Sequence, residues 1–461
     1  MKDRTLSYKG KQITVFGLKK SGKAAIDLLA KSGAQIFATE KNPEIESQLI
    51  IWLEDLNVPF ELGFHSRRSI EMKDLIVLSP GVDPNIPILK EAKKNQIPII
   101  GEIELAYQFS RSSFLAVTGT SGKSTTVELI GKILSQHIPR VFVCGNIGIP
   151  ISEIVSLNNQ SSTLVVEVSS FQLETIQTFR PTVSVFLNFS EDHLDRYPSM
   201  EEYFHAKTKI FENQTMEDAA LLNLDSPPLR KLVLPHIRTY YYSIQEPLKQ
   251  GFYLQGNQII GKIGNLDFSV KLDGYPLIGL HNQSNAVAAV GASYLYLKDK
   301  FDPSAAEKAL QCFTGLPHRF EYVGRYAGLD FINDSKSTKP QTTIMALQCI
   351  TKPTVLIIGG SDKGNDFSSL AKTISQHELI RYVVLTGKTQ KKIRCAFDQA
   401  GFKKYKNTPT FKSAIFEAIS RAKMGDTVLL SPACASFDEF KGFEERGDFF
   451  KSTLKLLYES K

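Results

Sequence analysis

Residues 117–126 read V-T-G-T-S-G-K-S-T-T, and this stretch constrains the chain more than any other. In the common P-loop, G-x-x-x-x-G-K-[ST], successive backbone N–H groups wrap a phosphate, the lysine reaches the β/γ oxygens and the hydroxyl binds Mg²⁺. Here Val117 stands where the first glycine would be, leaving the tighter loop Gly119-Thr120-Ser121-Gly122-Lys123-Ser124-Thr125. The apolar run Phe114-Leu115-Ala116-Val117 before it reads as a buried strand, and Thr126-Val127-Glu128-Leu129-Ile130 after it has helical apolar spacing. Strand, glycine loop and helix N-terminus in that order form an anion site. The blander reading, a glycine-rich turn that only ends a strand, leaves the lysine and the hydroxyls unexplained.

Short apolar runs recur with helical intervals between them: Ile13-Thr14-Val15-Phe16, Ile36-Phe37-Ala38, Leu75-Ile76-Val77-Leu78, Val141-Phe142-Val143, Leu164-Val165-Val166 and Val183-Ser184-Val185-Phe186-Leu187. Val355-Leu356-Ile357-Ile358, Val383-Val384-Leu385 and Val428-Leu429-Leu430 resume the series. Such alternation predicts an α/β chain of mostly parallel sheets. Between Tyr240 and Pro276 short, glycine-rich β-like pieces suggest a small antiparallel insertion. At about 150 residues per domain, 461 residues suggest about three domains. The expected division is a Rossmann-like block over 1–101, a P-loop ATPase-like block over 102–314 and a second Rossmann-like block over 315–461.

Composition narrows the function classes. The net charge is +7, but no long basic run or aromatic-basic stripe occurs, so nucleic acid is not an expected partner and anionic small substrates are. Five cysteines, without any C-x-x-C spacing, indicate neither a disulfide framework nor a zinc site and fit a reducing cytoplasm. The first residues lack an apolar leader core and no 18-residue apolar stretch occurs, so a cytoplasmic protein without membrane insertion is expected.

The first block opens with Gly17-Leu18-Lys19-Lys20-Ser21-Gly22 after a strand, with Glu40 ending the next strand. Lys19 replaces the second glycine of a dinucleotide fingerprint, which argues against a redox cofactor and for a nucleotide diphosphate or a purely structural turn. Ser79-Pro80-Gly81 ends another strand at the same sheet rim, where ligands of open α/β sheets bind. In the central block Glu167 ends one apolar strand, and His193, among Glu191, Asp192 and Asp195, follows another; a carboxylate and an imidazole beside a P-loop suit a magnesium nucleotide site. His193 taken alone reads equally as a capping or core histidine. Lys207, on composition alone, reads as an exposed helix lysine.

Several motifs then converge. G-T-S-G-K-S-T, G-N-I-G (145–148), E-V-S-S-F-Q, N-F-S-E-D-H-L-D-R-Y-P, Ala206-Lys207, G-L-H-N-Q-S-N-A, G-L-P-H-R-F-E, N-D-S-K-S-T, G-G-S-D-K-G and S-P-A-C-A-S-F-D-E-F-K-G-F-E-E-R-G run in order over nearly the whole chain. Together they resemble the Mur ligases, and the last three resemble the D-glutamate-adding branch. The resemblance implies a first domain holding the UDP of the substrate, a second holding ATP, and a third closing over both with the incoming amino acid. It implies an ATP-dependent ligase of peptidoglycan precursor synthesis, working through an acyl phosphate on UDP-N-acetylmuramoyl-L-alanine, D-glutamate and ATP, expected to be a monomer.

The same resemblance assigns residues. Lys123 would meet the γ-phosphate; Ser124 and Glu167 would serve one Mg²⁺; His193 and Lys207, the latter carrying CO₂ as a carbamate, would serve a second. Asn285, Arg319 and Asp334 would hold adenine, phosphate and ribose of ATP. Asn146 and Gln172 would position the muramoyl-alanine part, and Ser21, Glu40, Lys41 and Ser79 the UDP end. D-Glutamate would meet Thr338, Lys363, Ser436, Phe437 and Phe443. Lys19, Glu40 and Lys41 depart from the family's usual residues, and Lys339 stands where an asparagine is common. Core packing is the rival reading of Phe437 and Phe443. Another Mur ligase or a folylpolyglutamate synthase would share the central block, and the motif at 431–447 separates them. A Rossmann oxidoreductase or a nucleotide switch without bond formation would leave the C-terminal motifs unexplained.

Overall fold

The computed structural model describes residues 8–157, 162–194, 196–277 and 279–458, and among these the strands form three sheets. Residues 1–7, which the leader reading involved, and Asp195 lie outside that description. The chain separates into two compact units, Met1–Tyr275 with Leu280–Phe313 and Pro276–Gly279 with Thr314–Lys461. The α/β class predicted from the alternating runs holds in all three sheets.

The first sheet comprises β1 (Gln12–Phe16), β2 (Gln35–Glu40), β3 (Phe60–Leu62), β4 (Leu75–Leu78) and β5 (Ile99–Gly101). Its order is β3-β2-β1-β4-β5 and every pairing is parallel. Parallel strands are covered on both faces, which is why β4 reads as an unbroken apolar run and β1 is buried from Ile13 to Phe16, Thr14 included. β1 lies between β2 and β4, so the loop after it opens at the point where the strand order reverses. Ligands of open parallel sheets bind at such points.

The second sheet contains β6 (Ser113–Thr118), β7 (Val141–Gly145), β8 (Thr163–Glu167), β9 (Val183–Phe186), β10 (Ala219–Asn223), β11 (Arg238–Ser243), β12 (Gly251–Gln255), β13 (Gln258–Ile263) and β14 (Leu266–Lys271). The order is β14-β13-β12-β11-β10-β9-β6-β8-β7. β6 sits between β9 and β8, in parallel with both, so Glu167 and the residues after Phe186 flank the P-loop from opposite sides. The antiparallel pieces are less separate than an insertion: β12 pairs in parallel with β11, and β12 to β14 extend the same sheet as a meander. Gly256 and Gly264, both with positive φ, make its two tight turns.

The third sheet, in the second unit, holds β15 (Glu321–Tyr326), β16 (Leu329–Asn333), β17 (Thr354–Gly359), β18 (Ile380–Thr386), β19 (Tyr405–Asn407) and β20 (Thr427–Leu430), ordered β15-β16-β20-β17-β18-β19. Only the β15/β16 hairpin is antiparallel. The loops after β16, β20, β17 and β18 therefore emerge at one edge.

Candidate active site

The P-loop is built by its neighbours. β6 delivers Thr118 into the loop, and the helix Lys123–Ser135 starts at Gly122, which is left-handed (φ 80) and offers no side-chain cap. A side chain at Gly122 would stand 2.4 Å from Asn285 Oδ1, so this glycine lets the helix Leu280–Leu297 press its Asn285 onto the loop. Asn188, just beyond β9, clamps the other side: its Oδ1 accepts the N–H groups of Thr120 (3.1 Å) and Ser121 (2.9 Å). The helix N-terminus keeps its first N–H groups directed at the loop, the property that makes it an anion cradle. Lys123 Nζ donates to the carbonyls of Gly119 and Thr120, both at 3.0 Å.

Glu167, buried at the end of β8, is the acidic partner of this loop. One carboxylate oxygen accepts from Ser124 Oγ at 2.7 Å and the other from Asn146 Nδ2 at 2.9 Å. Asn146 donates its own N–H to the Glu167 carbonyl, which fixes the G-N-I-G loop to β8. Ser124, Glu167 and Asn146 thus form one bonded group, although they were read from three separate motifs. Among the described residues no cluster of three or more His, Cys, Asp or Glu side chains could hold a metal ion. A magnesium that takes several ligands from phosphate and water needs only one or two from the protein, and a hydroxyl beside a buried carboxylate fits that chemistry.

Lys207 corrects the reading from composition. It lies on the helix Met200–Thr208 and is 2% exposed, not solvated. The helix turns its polar residues outward and carries Tyr203, Ala206 and Lys207 on its buried face. Lys207 Nζ donates to the Gly119 carbonyl at 2.8 Å, the same oxygen that takes Lys123. Burial, and then the neighbouring Lys123 charge, hold its amine well below the usual lysine range, against the pull of Asp192 and Glu167. Tyr203 is the residue that sequence reasoning missed here. Its ring underlies Lys207 Nζ at 4.9 Å and meets the His193 ring at 5.8 Å, and its hydroxyl bonds Thr120. Two aromatic rings flank His193, since Phe171 lies 4.7 Å away on its other contact, and its backbone takes a positive φ of 56°. A non-glycine residue in that region signals local constraint. Of the acids expected around His193, Asp192 holds its N–H at 2.9 Å, while Asp195 lies outside the described residues.

A cleft in the same unit is lined by Ser79, Pro80, Gly101, Gln172, Thr175 and Arg196 among others, bringing Ser79 and Gln172 together. Gln172 spends its Oε1 on a capping box with Ser169, which leaves its amide nitrogen as the group able to meet a ligand. Arg196 pairs with Glu174 at 2.6 Å and covers the Phe171 ring. At the first sheet Ser79 Oγ donates to the Gly17 carbonyl, and a side chain at Gly22 would collide with that same oxygen at 1.8 Å. Glu40 accepts the N–H of Leu18 at 2.8 Å and that of Asn42 at 3.0 Å, so it shapes the loop itself. Lys19 takes an ordinary extended φ of −72°, which needs no glycine. Ser21 is half-buried near the start of the helix Lys20–Lys31 and Lys41 is exposed.

In the second unit, Asp334 follows β16 and is fully enclosed, accepting from Ser431 Oγ at 2.7 Å and from the Phe320 N–H at 3.1 Å. Burial raises it to about 6 despite hydroxyls from Ser337 and Ser431 and the nearby Arg319. Arg319 sits between His318 and Phe320, both with positive φ, in a tight turn before β15. Lys363 Nζ stands 5.0 Å over the Phe437 ring, which is 63% exposed and so is no core residue. Ser436 is buried; Phe443 and Thr338 are half-buried. The loop after β18 joins these through Asp438, which accepts the Lys388 N–H, while Thr389 Oγ1 accepts the Gly360 N–H. Asp438 lies inside the motif at 431–447 but drew no role from it, and Thr389 lies in no motif.

Family models described as the Mur ligase MurD-like N-terminal domain, the Mur ligase middle domain and the Mur ligase glutamate ligase domain match residues 11–101, 117–293 and 318–434. The chain is 39% identical to a UDP-N-acetylmuramoylalanine–D-glutamate ligase of Lachnoclostridium phytofermentans, over 98% of this chain and 99% of that protein. It is 37% identical to the ligase of that name from Clostridioides difficile, over 98% and 100%. Among solved structures, a UDP-N-acetylmuramate-alanine ligase from Thermotoga maritima superposes with a TM-score of 0.58 at 19% identity, covering 98% of this chain and 100% of that one. A pseudomurein peptide ligase from Methanothermus fervidus gives 0.58 at 20%, covering 97% and 100%. These two likenesses concern the fold, while the full-length identities and the family models make the chain a member of the Mur ligase family.

Proposed function

We propose that the chain is an ATP-dependent ligase that joins D-glutamate to UDP-N-acetylmuramoyl-L-alanine in peptidoglycan precursor synthesis, releasing ADP and phosphate. The observation that carries this is the identity of 37–39% along essentially the whole length of relatives named for that reaction. The division of labour follows residues 1–101 for the UDP substrate, 102–314 for ATP and 315–461 for the amino acid. The reaction belongs in the cytoplasm, where ATP is made, with the chain acting as a monomer; no helix among the described residues is long and apolar enough to cross a membrane.

A carboxylate is a poor electrophile, so it is first activated. The L-alanyl carboxylate oxygen attacks the γ-phosphorus, the bond to ADP breaks, and an acyl phosphate forms. The D-glutamate amine then attacks the acyl carbon, phosphate leaves from the tetrahedral intermediate, and the amine proton is lost. Negative charge spreads over the transferred group throughout, so the requirement is positive charge and N–H donors already in place. Lys123 and the amides of residues 119–125 supply these, with Asn285 bracing the loop. Ser124 and Glu167 fit one Mg²⁺, and His193 with a carbamylated Lys207 fits a second; the metal supplies charge neutralisation for the phosphates. The lowered pKa of the Lys207 amine supports the carbamate, because CO₂ bonds to the nitrogen lone pair and an ammonium has none. Asn146 and Gln172 orient the muramoyl-alanine part, and Ser21, Glu40, Lys41 and Ser79 line the UDP end.

Arg319 and Asp334 serve the phosphate and ribose of ATP, and the raised pKa gives Asp334 a pH signature. Its native value of about 6 exceeds the ordinary aspartate value, so ionising it in the fold costs about 3 kcal/mol at neutral pH. Falling pH therefore relieves the fold while removing the carboxylate acceptor. The expected result is that kcat/KM for ATP declines below about pH 6 without a matching loss of thermal stability, and that Asp334→Asn is low and flat across that range. A wild-type profile with no inflection there would rule out this role.

D-Glutamate meets Thr338, Lys363, Ser436, Phe437 and Phe443. Lys363→Ala and Ser436→Ala should each raise the KM for D-glutamate about 10- to 150-fold, since a charge-assisted contact is worth about 1.5–3 kcal/mol, and leave that for ATP nearly unchanged. The whole reading is tested by ADP release from purified protein: it should require both UDP-N-acetylmuramoyl-L-alanine and D-glutamate, with other amino acids inactive. Release that is independent of D-glutamate, or equal with another amino acid, would refute it.

A further inference from the structure

One buried cation in the second unit has no part in the chemistry above. Arg446, on the helix Phe443–Tyr458, is 2% exposed. Its Nε donates to Ser335 Oγ at 3.0 Å and its Nη2 to the Ser335 carbonyl at 2.8 Å. Nη1 has no hydrogen-bond partner. It stands 3.2 Å from where a side chain on Gly360 would begin, and that same point is only 2.1 Å from the Ala435 carbonyl. Gly360 (φ 150) is thus a place where the backbone of one loop lies directly against another loop and against the guanidinium.

Burying a guanidinium with an unpaired nitrogen is costly, and apolar side chains of like volume would fill the same space more cheaply. No carboxylate bonds it directly. Asp438 and Asp334 help to sustain its charge at longer range, and although burial lowers it to about 10 it remains a cation at neutral pH. Its contacts have a pattern. Ser335 lies in the 333–338 loop, whose Ser335 Oγ also donates to the Phe443 carbonyl at 2.8 Å. Gly360 lies in the loop after β17, where Ser361 donates its N–H to the Ala435 carbonyl at 2.8 Å. Cys434 and Ala435 lie in the loop after β20. These are the loops that carry Thr338, Lys363 and Ser436.

We propose that Arg446 is a positioning residue for the incoming amino acid: its planar guanidinium fixes the spacing of these three loops without touching the amino acid itself. A lysine cannot replace it, because one ammonium cannot hold the Ser335 hydroxyl and carbonyl side by side while lying flat against Gly360. The inference rests on the D-glutamate reading of the site.

The test uses full-length R446K, R446M and R446A, with ADP release measured as each substrate is varied and thermal unfolding measured for each protein. R446K should raise the KM for D-glutamate at least about 10-fold, the equivalent of one lost charge-assisted bond, while the KM values for ATP and UDP-N-acetylmuramoyl-L-alanine stay within about two-fold. Millimolar guanidinium added to R446A should recover the low KM for D-glutamate, and sodium at equal ionic strength should not. Parallel rises in all three KM values, unchanged values in R446K and R446M, or no guanidinium recovery in a folded R446A would overturn the proposal. Variants that stay unfolded even with guanidinium would make Arg446 a plain core residue and overturn it as well. Wild-type ADP release that ignores D-glutamate would instead remove the functional reading beneath it, a failure visible before any variant is made.

Discussion

Lys207→Ala should lose most ligase activity, on the order of 10²- to 10³-fold, the scale on which one group stabilising transition-state charge is worth. A lysine on a solvated face would predict the opposite, a change of at most about 0.5 kcal/mol in stability and almost none in rate. The two readings are separated by the burial of Lys207 and its bond to the Gly119 carbonyl. Carbamylation of an amine by CO₂ makes an N–C bond and releases a proton, so it is favoured as pH rises. A lowered amine pKa extends the neutral form down toward physiological pH. Wild-type protein held in CO₂-free buffer at mildly acidic pH should therefore lose activity and regain it with bicarbonate. Acetate should partly rescue Lys207→Ala by returning an oxygen ligand, and chloride at equal ionic strength should not. Near-normal activity of the unrescued variant would defeat the assignment, as would equal rescue by both anions.

How far the sequence revealed this arrangement varied with the kind of interaction. Buried parallel strands announce themselves as continuous Val, Ile and Leu runs, so β1, β4, β6, β8, β9, β17 and β20 were legible. β10 (A-A-L-L-N) was not, because alanine and leucine favour helices and only its place beside β9 makes it a strand. β3, β5 and β19 are three residues long and carry too little pattern. The meander after β11 had the right strand type, but its attachment to the central sheet depends on the β11/β12 pairing, a long-range contact without local signature. Chemistry-bearing residues were legible where a motif fixed them, as at Ser124 and Glu167. Residues that act through shape were not: Tyr203 reads as an ordinary helix aromatic, yet it joins Thr120, Lys207 and His193. Glu40 shows the converse: expected at a ligand for its charge, it also shapes its own loop through both oxygens, a role no motif announces.

Lys123→Ala should be the most damaging substitution, with ADP release falling by about three orders of magnitude or more while circular dichroism and thermal unfolding stay near wild type. The side chain is half-buried and bonds the loop carbonyls of Gly119 and Thr120 rather than packing into the core, so little core is lost. What disappears is a fixed cation at the transferred phosphoryl group. A second loss compounds it. Lys123 and Lys207 share the Gly119 carbonyl, and the charge of Lys123 is one cause of the lowered Lys207 pKa. Without Lys123 that cause is gone, the Lys207 amine moves back toward its ammonium form, and carbamylation at neutral pH is weakened. The two substitutions should therefore be strongly non-additive, the double variant being little worse than Lys123→Ala alone, as for residues that act as a unit. Bicarbonate should help Lys123→Ala more at high pH than at neutral pH, since only the neutral amine reacts. Activity of Lys123→Ala within a few-fold of wild type would remove the lysine from the reaction. Full additivity in the double variant would show that the shared carbonyl does not couple the two amines.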